Sequence, residues 1–249
     1  MQGTRATAPH TVAGLVVIGL ATGLMSGCAQ STSGQAIADH RVSQSDAGTP
    51  TITSAPSAVV HSASLDTLLL APSEFPSPFD AVTLPAQAVP MAAPDLVGVP
   101  RGATVQPPEC AQPKQDYGPD STVMAVGTDN ATRTTISVEL TRDATGRLTE
   151  WEERTRRCHT TKVTANGVTS TVETEILPPA PVDADESMAL RRTVTTPTAA
   201  GGTQTMLTLL AQVDDVRISV TLMTFASVAD ASAPLDQTFT AAVAKVRKG

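Results

Sequence analysis

Apolar and polar residues alternate at every second position through much of the chain after residue 121. Ile136, Val138 and Leu140 alternate with polar neighbours, which is the pattern of a β-strand with one face toward water. Further runs with this period lie at residues 168–176, 188–196, 204–213 and 216–222. Asp214 and Asp215 separate the last two runs, which predicts a tight hairpin. The pattern therefore predicts an antiparallel sheet.

Two longer segments have the period of an amphipathic helix instead. Residues 147–157 place Trp151 on an apolar face, and the opposite face carries three Glu–Arg pairs at four-residue spacing, which support a helix. Residues 234–247 place Leu235 and Phe239 on one stripe and begin with a proline, as helices often do. Strands in succession with two good helices predict the α+β class, a single domain in which helices flank an antiparallel sheet.

The segment before the alternating runs is predicted to lie at the surface. Ser64 is placed to cap a short helix, and residues 72–119 that follow are rich in proline. Proline cannot donate to the hydrogen bonds of a central strand, so this segment is expected to form only short helical or extended pieces.

The first 27 residues have the pattern of an export signal. One charged residue, Arg5, precedes an apolar run at residues 12–25, and small residues follow that run. The run is shorter than the roughly 20 apolar residues of a membrane-spanning helix. We therefore expect residues 1–27 to be a signal peptide.

Cys28 follows directly after Gly27, and this junction resembles the lipobox of bacterial lipoproteins. The resemblance implies that the thiol receives a diacylglyceryl group and that the signal is cut just before the cysteine. This chain has Met25 where the usual box has leucine. Cys28 is expected to carry a lipid anchor, and an ordinary cleaved signal with a leftover cysteine is the alternative.

The remaining chain reads as a spacer followed by one domain. Residues 28–60 are rich in Ser, Thr and Ala without apolar periodicity, which predicts a flexible spacer, and residues 61–249 are long enough for one domain. Loss of Arg5 with the signal changes the formal net charge from −7 to −8. This charge excludes electrostatic binding to nucleic acid, so attachment to the membrane is expected through the N-terminal acyl chains alone. The predicted location is extracytoplasmic, anchored to the cell membrane.

Two further cysteines, Cys110 and Cys158, remain for the domain. An oxidising compartment and an even number of cysteines predict a disulfide between them, which would stabilise the fold by about 4 kcal/mol. Two buried free thiols are the alternative. A catalytic thiol is disfavoured because no organised base accompanies either residue.

The sequence contains no motif for catalysis, a cofactor or a metal. It lacks a phosphate-binding loop, a nucleophile elbow and paired metal-binding cysteines, and only His159 lies well inside the predicted domain. Trp151, the single tryptophan, is interpreted as a core anchor near the disulfide, and a ligand-facing role is the alternative. We therefore expect no enzyme, no cofactor and no metal.

Two short segments, residues 68–76 (LLLAPSEFP) and 107–111 (PPECA), resemble the opening and the first cysteine of a group of mycobacterial lipoproteins of unknown function. That group is similar to the extracellular sensor domain of PknH-type serine/threonine kinases, and the resemblance covers about residues 64–248. It implies an α+β domain with a cleft and a role in sensing or binding outside the cell. The favoured hypothesis is a non-enzymatic, lipid-anchored envelope protein that binds a small ligand or a protein partner, and a lipid or glycolipid carrier is the alternative.

Overall fold

The part of the chain that the structure describes contains nine antiparallel strands, and the alternating segments are among them. The strands are β1 Asp80–Thr83, β2 Thr104–Gln106, β3 Thr122–Asp129, β4 Thr134–Arg142, β5 Thr160–Ala165, β6 Val168–Leu177, β7 Glu186–Thr195, β8 Thr203–Val213 and β9 Val216–Thr224. They build one sheet in the order β1-β3-β4-β9-β8-β7-β6-β5-β2. Val213 pairs with Val216, so the hairpin predicted at Asp214 and Asp215 is confirmed.

The structure is a computed structural model that describes residues 61–142, 147–197, 202–225, 228 and 232–249. The described residues all fall within one compact unit, Thr53–Gly249. The predicted signal peptide, Cys28 and the whole of the predicted spacer at 28–60 precede the first described residue. None of the helices among the described residues is long and apolar enough to cross a membrane.

The helices lie on both faces of the sheet. They are α1 Leu65–Leu68, α2 Val89–Ala92, α3 Leu148–Arg157 and α4 Ser232–Lys248, with short 3-10 helices at Pro72–Glu74, Ala93–Val97 and Pro108–Cys110. Both amphipathic helices predicted from the sequence are present, and Cys110 is bonded to Cys158 with a Cα–Cα distance of 5.6 Å. The predicted α+β class with an antiparallel sheet, flanking helices and one disulfide is confirmed.

One face of the sheet, the helix face, holds the main hydrophobic core. Val138, Leu140 and Val220 on the central strands are fully buried there, and α4 contacts these strands with Phe239 and Val243 on its apolar stripe. Burial of this stripe accounts for the position of α4, because apolar area removed from water stabilises the fold by roughly 25 cal/mol per Å².

The opposite face, the cavity face, carries polar side chains that are nevertheless buried, and this corrects the prediction of a face open to water. Ser137 and Glu139, which alternate with the core residues of β4, are only 1% and 8% exposed. The strand pattern identified the two faces correctly, but alternation alone does not reveal that another part of the chain covers the polar one.

The proline-rich part of the chain provides that cover. The crossing segment, residues 84–121, leaves β1 at one edge of the sheet, supplies β2 at the other edge, and returns to β3. Val89 and Leu96 pack on the cavity face with Met124, and Cys110 packs there with Val163. As predicted, this segment contributes only short helices and edge strands, because its prolines cannot join a central ladder.

Two local predictions differ from the structure, and one strand lacks a sequence prediction. Ser64 precedes α1, but its side chain makes no capping hydrogen bond. On α3 the predicted Glu152–Arg156 pair is formed, whereas Arg154 donates to the carbonyl of Ala111 instead of pairing with Glu150. Strand β5 was not predicted, because its apolar content is a single buried valine flanked by threonines and a lysine.

Candidate functional site

A cavity of about 510 Å³ lies between the cavity face of the sheet and the crossing segment. Its apolar wall comes from the crossing segment, with Leu96, Val99 and Val105 among the lining residues. Its floor comes from the strands and is polar and charged. This volume falls in the range of small-molecule sites, roughly 300–1,000 Å³.

The pairing of the central strands places the side chains of the floor on one face of the sheet. Glu139 on β4 lies opposite Ser219 on β9, and Ser219 lies opposite Leu210 on β8, so these side chains share one face. The lining residues of the floor are Glu139, Arg192, Thr208, Leu210, Arg217, Ser219 and Thr221. Three of them carry charge although each is less than 10% exposed.

Arg217 is the centre of a network at one end of the floor. Its guanidinium carbon lies 4.4 Å from the centroid of the Trp151 ring, within range of a cation–π interaction. Gln115 from the crossing segment accepts a hydrogen bond from Arg217 at 3.4 Å and donates to Glu139 Oε1 at 2.6 Å. The amide therefore links the buried cation to the buried carboxylate.

Arg192 occupies a different environment. It is 6% exposed, and Nη1 donates to Thr208 Oγ1 at 3.2 Å, while Thr208 is within 3.1 Å of the Thr221 hydroxyl. Within the described part of the chain no carboxylate is paired with Arg192. An isolated charge in the interior is costly unless a counter-charge or strong hydrogen bonds accompany it.

Burial shifts the ionisation of these groups. It lowers the pKa of Arg192 to about 10, and it also lowers the pKa of Arg217, against the opposing effect of Glu139. The pKa of Glu139 is raised by burial, although Gln115 and Arg217 act in the opposite direction. The pKa of Tyr117, another lining residue, is raised by burial and by Glu139. The floor is therefore a site where charge is held away from water.

Several donors at the site have no partner in the protein. Among the described residues, Arg217 Nη1, Trp151 Nε1 and Arg154 Nε are buried and make no hydrogen bond. Trp151 and Arg217 line the main cavity, and Trp151 and Arg154 line a smaller cavity beside it. Because buried polar groups are nearly always satisfied in folded proteins, unpaired donors along a cavity indicate a place for an acceptor.

The residues singled out from the sequence are placed as follows. Cys110 and Cys158 form the disulfide and line a second cavity, of about 580 Å³, beside the one over the charged floor, and Trp151 lines both. Trp151 is half-buried and packs beside the cluster of Leu148, Met188, Leu190 and Leu210. His159 is exposed. Cys28 lies outside the described residues.

Sequence reasoning missed most of the site. In the sequence, Glu139, Arg192 and Arg217 stand at ordinary polar positions of predicted strands, and Gln115 lies in the proline-rich segment. One signal was available: Arg217 stands between Val216 and Ile218 in the most apolar strand of the chain. A charged side chain at such a position needs a buried partner, and that requirement indicates a site.

The arrangement is suited to binding. The described residues that line the cavity include no histidine or cysteine that could serve as base or nucleophile. No group of three or more His, Cys, Asp or Glu side chains within the described ranges could hold a metal ion. What the site offers is an apolar wall, a charged floor and unpaired donors.

A protein-family model described as "Domain of unknown function (DUF5642)" matches residues 67–247. No curated protein sequence matches the chain.

Solved structures that are similar include two mycobacterial proteins. One is an uncharacterised protein of Mycobacterium smegmatis, the Rv0999 ortholog, at 17% identity and a TM-score of 0.41, covering 70% of this chain and 92% of that one. Another is the extracellular domain of PknH from Mycobacterium tuberculosis, at 14% identity and a TM-score of 0.40, covering 59% of this chain and 78% of that one. Both are mycobacterial, and one is a PknH extracellular domain, as the sequence resemblance implies. No ligand, partner or residue role is carried over from them.

Proposed function

This chain belongs to the family described as a domain of unknown function (DUF5642), and we propose that it is a lipid-anchored envelope protein whose single domain binds a small ligand in the cavity under the crossing segment. The observation that carries the proposal is the set of buried, unpaired donors along that cavity, Trp151 Nε1 and Arg217 Nη1. The protein is proposed to be non-enzymatic, which is supported by the lack of histidine and cysteine among the described residues that line the cavity.

Binding is tested by filling the cavity. Ala103 lines it and is half-buried, whereas the next residue, Thr104, is exposed and does not line it. Protein purified natively from its host envelope is extracted with organic solvent, and the extract is analysed by mass spectrometry. A compound present in stoichiometric amount in the wild type and in Thr104→Phe, but lost in Ala103→Phe, supports binding in this cavity.

The same extract separates the proposal from the lipid-carrier alternative. A diacyl lipid or glycolipid in stoichiometric amount would favour the carrier. A small polar or amphiphilic compound favours the ligand-binding domain. Turnover of generic esterase or peptidase substrates by the purified domain, abolished in Ala103→Phe, would overturn the non-enzymatic part of the proposal.

The anchor is tested at Cys28. The thiol is the proposed lipid attachment point, so Cys28→Ala should leave an unprocessed precursor without acyl mass on its N-terminal peptide. Ser31→Ala, three residues further on, is the matched control and should be acylated like the wild type. Normal acylation or membrane retention of Cys28→Ala would contradict the lipoprotein assignment.

A further inference from the structure

We propose that the ligand of this cavity is a small anionic amphiphile, with its acidic group at Arg192 and its apolar body against the crossing segment. This inference rests on the proposed function, since it names the chemistry of the ligand for the same site. The acidic group is a carboxylate or a phosphate, which share the charge and the acceptor oxygens that a guanidinium recognises.

The first argument is the charge of the lining. Four basic residues, Arg101, Lys114, Arg192 and Arg217, line the cavity together with one acidic residue, Glu139. The whole chain has a net charge of −7, so this local excess of positive charge runs against the composition. A concave region of one sign attracts ligands of the other sign.

The second argument is the unequal compensation of the two buried arginines. Gln115 is hydrogen-bonded to both Arg217 and Glu139, so the Glu139 carboxylate partly compensates the charge of Arg217. Arg217 also lies against the Trp151 ring. Arg192 has a threonine hydroxyl as its hydrogen-bond partner, and no carboxylate is paired with it in the described ranges. The uncompensated charge is therefore at Arg192, and that is where an anion gains most.

The third argument concerns the position of the two arginines. Arg192 is paired with Met206 on β8, and Arg217 is paired with Gln212 on the same strand. Met206 and Gln212 are six residues apart along β8, which corresponds to about 20 Å of backbone. The two guanidinium groups therefore approach the floor from different ends, and the second end offers the free donors of Arg217 and Trp151 to a further acceptor on the ligand.

The fourth argument is the wall opposite the floor. Ala93, Leu96, Val97 and Val105 supply apolar surface from the crossing segment. At the rim, Arg101 and Lys114 are exposed. A ligand that places an acidic group on the floor therefore leaves its remaining surface against aliphatic side chains, which favours an amphiphile over an inorganic anion.

The test uses the single tryptophan as its reporter, because Trp151 lines the cavity. The purified domain is titrated with decanoate, decyl phosphate, decanol and decylamine, all below their critical micelle concentrations, and Trp151 fluorescence and calorimetry are recorded. We expect decanoate or decyl phosphate to bind at least about tenfold more tightly than decanol, as a charge-assisted hydrogen bond implies. Comparison of the two anions separates a carboxylate site from a phosphate site. Inorganic phosphate alone should bind more weakly than either.

Variants locate the acidic group. Arg192→Met keeps a long side chain at a buried position and removes the charge, and it should weaken decanoate binding about tenfold or more while decanol is unaffected. Arg191→Gln is the matched control, because Arg191 is the adjacent residue, exposed and paired with Glu175. The comparison of probes on the wild type holds even if Arg192→Met is poorly folded.

Each outcome is decisive. Decanol or decylamine binding as tightly as the anions, or an unchanged decanoate affinity in folded Arg192→Met, overturns this inference and leaves ligand binding in the cavity standing. Failure of all four probes to bind, together with native extracts that contain no compound, overturns the inference and the proposed function together.

Discussion

At the scale of single residues, Glu139 is the buried carboxylate of the cavity floor. Burial raises its pKa, so the folded state binds its proton more tightly than the unfolded chain does. A group of this kind stabilises the fold below its unfolded pKa, and that stability is lost as the pH rises through the folded value. We therefore expect Glu139→Gln to melt several degrees above the wild type at pH 8, with the difference shrinking toward pH 4.

The measurement is the melting temperature of both proteins across this pH range. Glu173→Gln, at an exposed position of β6, is the control and should follow the wild-type profile. A lower melting temperature of Glu139→Gln at pH 8 would show instead that the carboxylate charge is needed to neutralise Arg217.

His61, the first described residue, contacts residues that are far from it in sequence. Its side chain is only 7% exposed. Nδ1 lies 2.9 Å from Asp215 Oδ1, and Nε2 lies 3.2 Å from the carbonyl of Val246. Arg142 donates hydrogen bonds to the same carboxylate and to the His61 carbonyl. One cluster therefore joins the first described residue, β4 and the end of α4.

Replacing this side chain should therefore unfold the domain more easily. We expect His61→Ala to lower the free energy of unfolding by about 1–3 kcal/mol, because Asp215 loses a buried partner. The exposed His159→Ala should change it by less than about 0.5 kcal/mol. Chemical denaturation of both variants measures the difference. Equal effects of the two replacements would contradict a stabilising role of the His61–Asp215 contact.

At the scale of elements, the disulfide joins the crossing segment to the end of α3. Cys110 ends a 3-10 helix of that segment, and Cys158 follows α3, 48 residues later. Closing a loop of this size stabilises the fold by about 4 kcal/mol. The double variant Cys110→Ser/Cys158→Ser should melt several degrees lower than the wild type. It should also lose ligand affinity, because both bonded elements border the cavity.

Chemical reduction of the disulfide is the control for this prediction. Reduction of the wild type should reproduce the melting temperature of the double variant, and reductant should leave the double variant unchanged. Free thiols detected by alkylation of the native, non-reduced protein would contradict the bond.

The elements differ in how far the sequence predicts them. The apolar period of the sequence predicts the elements that bury one regular face, which are strands β4, β6, β7, β8 and β9 and helices α3 and α4. The edge strands β1 and β2 are three or four residues long, too short to show a period, and β5 carries one buried valine. Their pairing is imposed by neighbours rather than by their own pattern.

At the scale of the whole molecule, the site joins residues that are distant in sequence. Five different elements or segments contribute its main polar and aromatic residues, which are Gln115, Glu139, Trp151, Arg192 and Arg217. No two of these residues belong to the same sequence motif. Periodicity assigns a residue to a face, but it does not say which segment covers that face. The charged floor could therefore be seen only once the sheet order and the path of the crossing segment were known.

The domain boundary gives a prediction at this scale. The spacer is rich in small polar residues and the compact unit begins at Thr53, so a chain of residues 53–249 should fold alone. Its melting temperature should equal that of a chain of residues 29–249. A chain of residues 64–249, which lacks His61, should melt lower. A lower melting temperature for the 53–249 chain would mean that the spacer packs on the domain.

The two outermost strands of the sheet have a consequence for how the protein behaves when crowded. An unpaired sheet edge is a template for pairing with another chain, and long, flat edges promote aggregation. Here both edges are short: Asp80–Thr83 lies just before the crossing segment, Thr104–Gln106 lies within it, and the second is followed directly by Pro107. A sheet of nine strands thus ends in two stubs that offer a neighbouring molecule few backbone groups to join. Edges this short are expected to disfavour edge-to-edge pairing between adjacent copies.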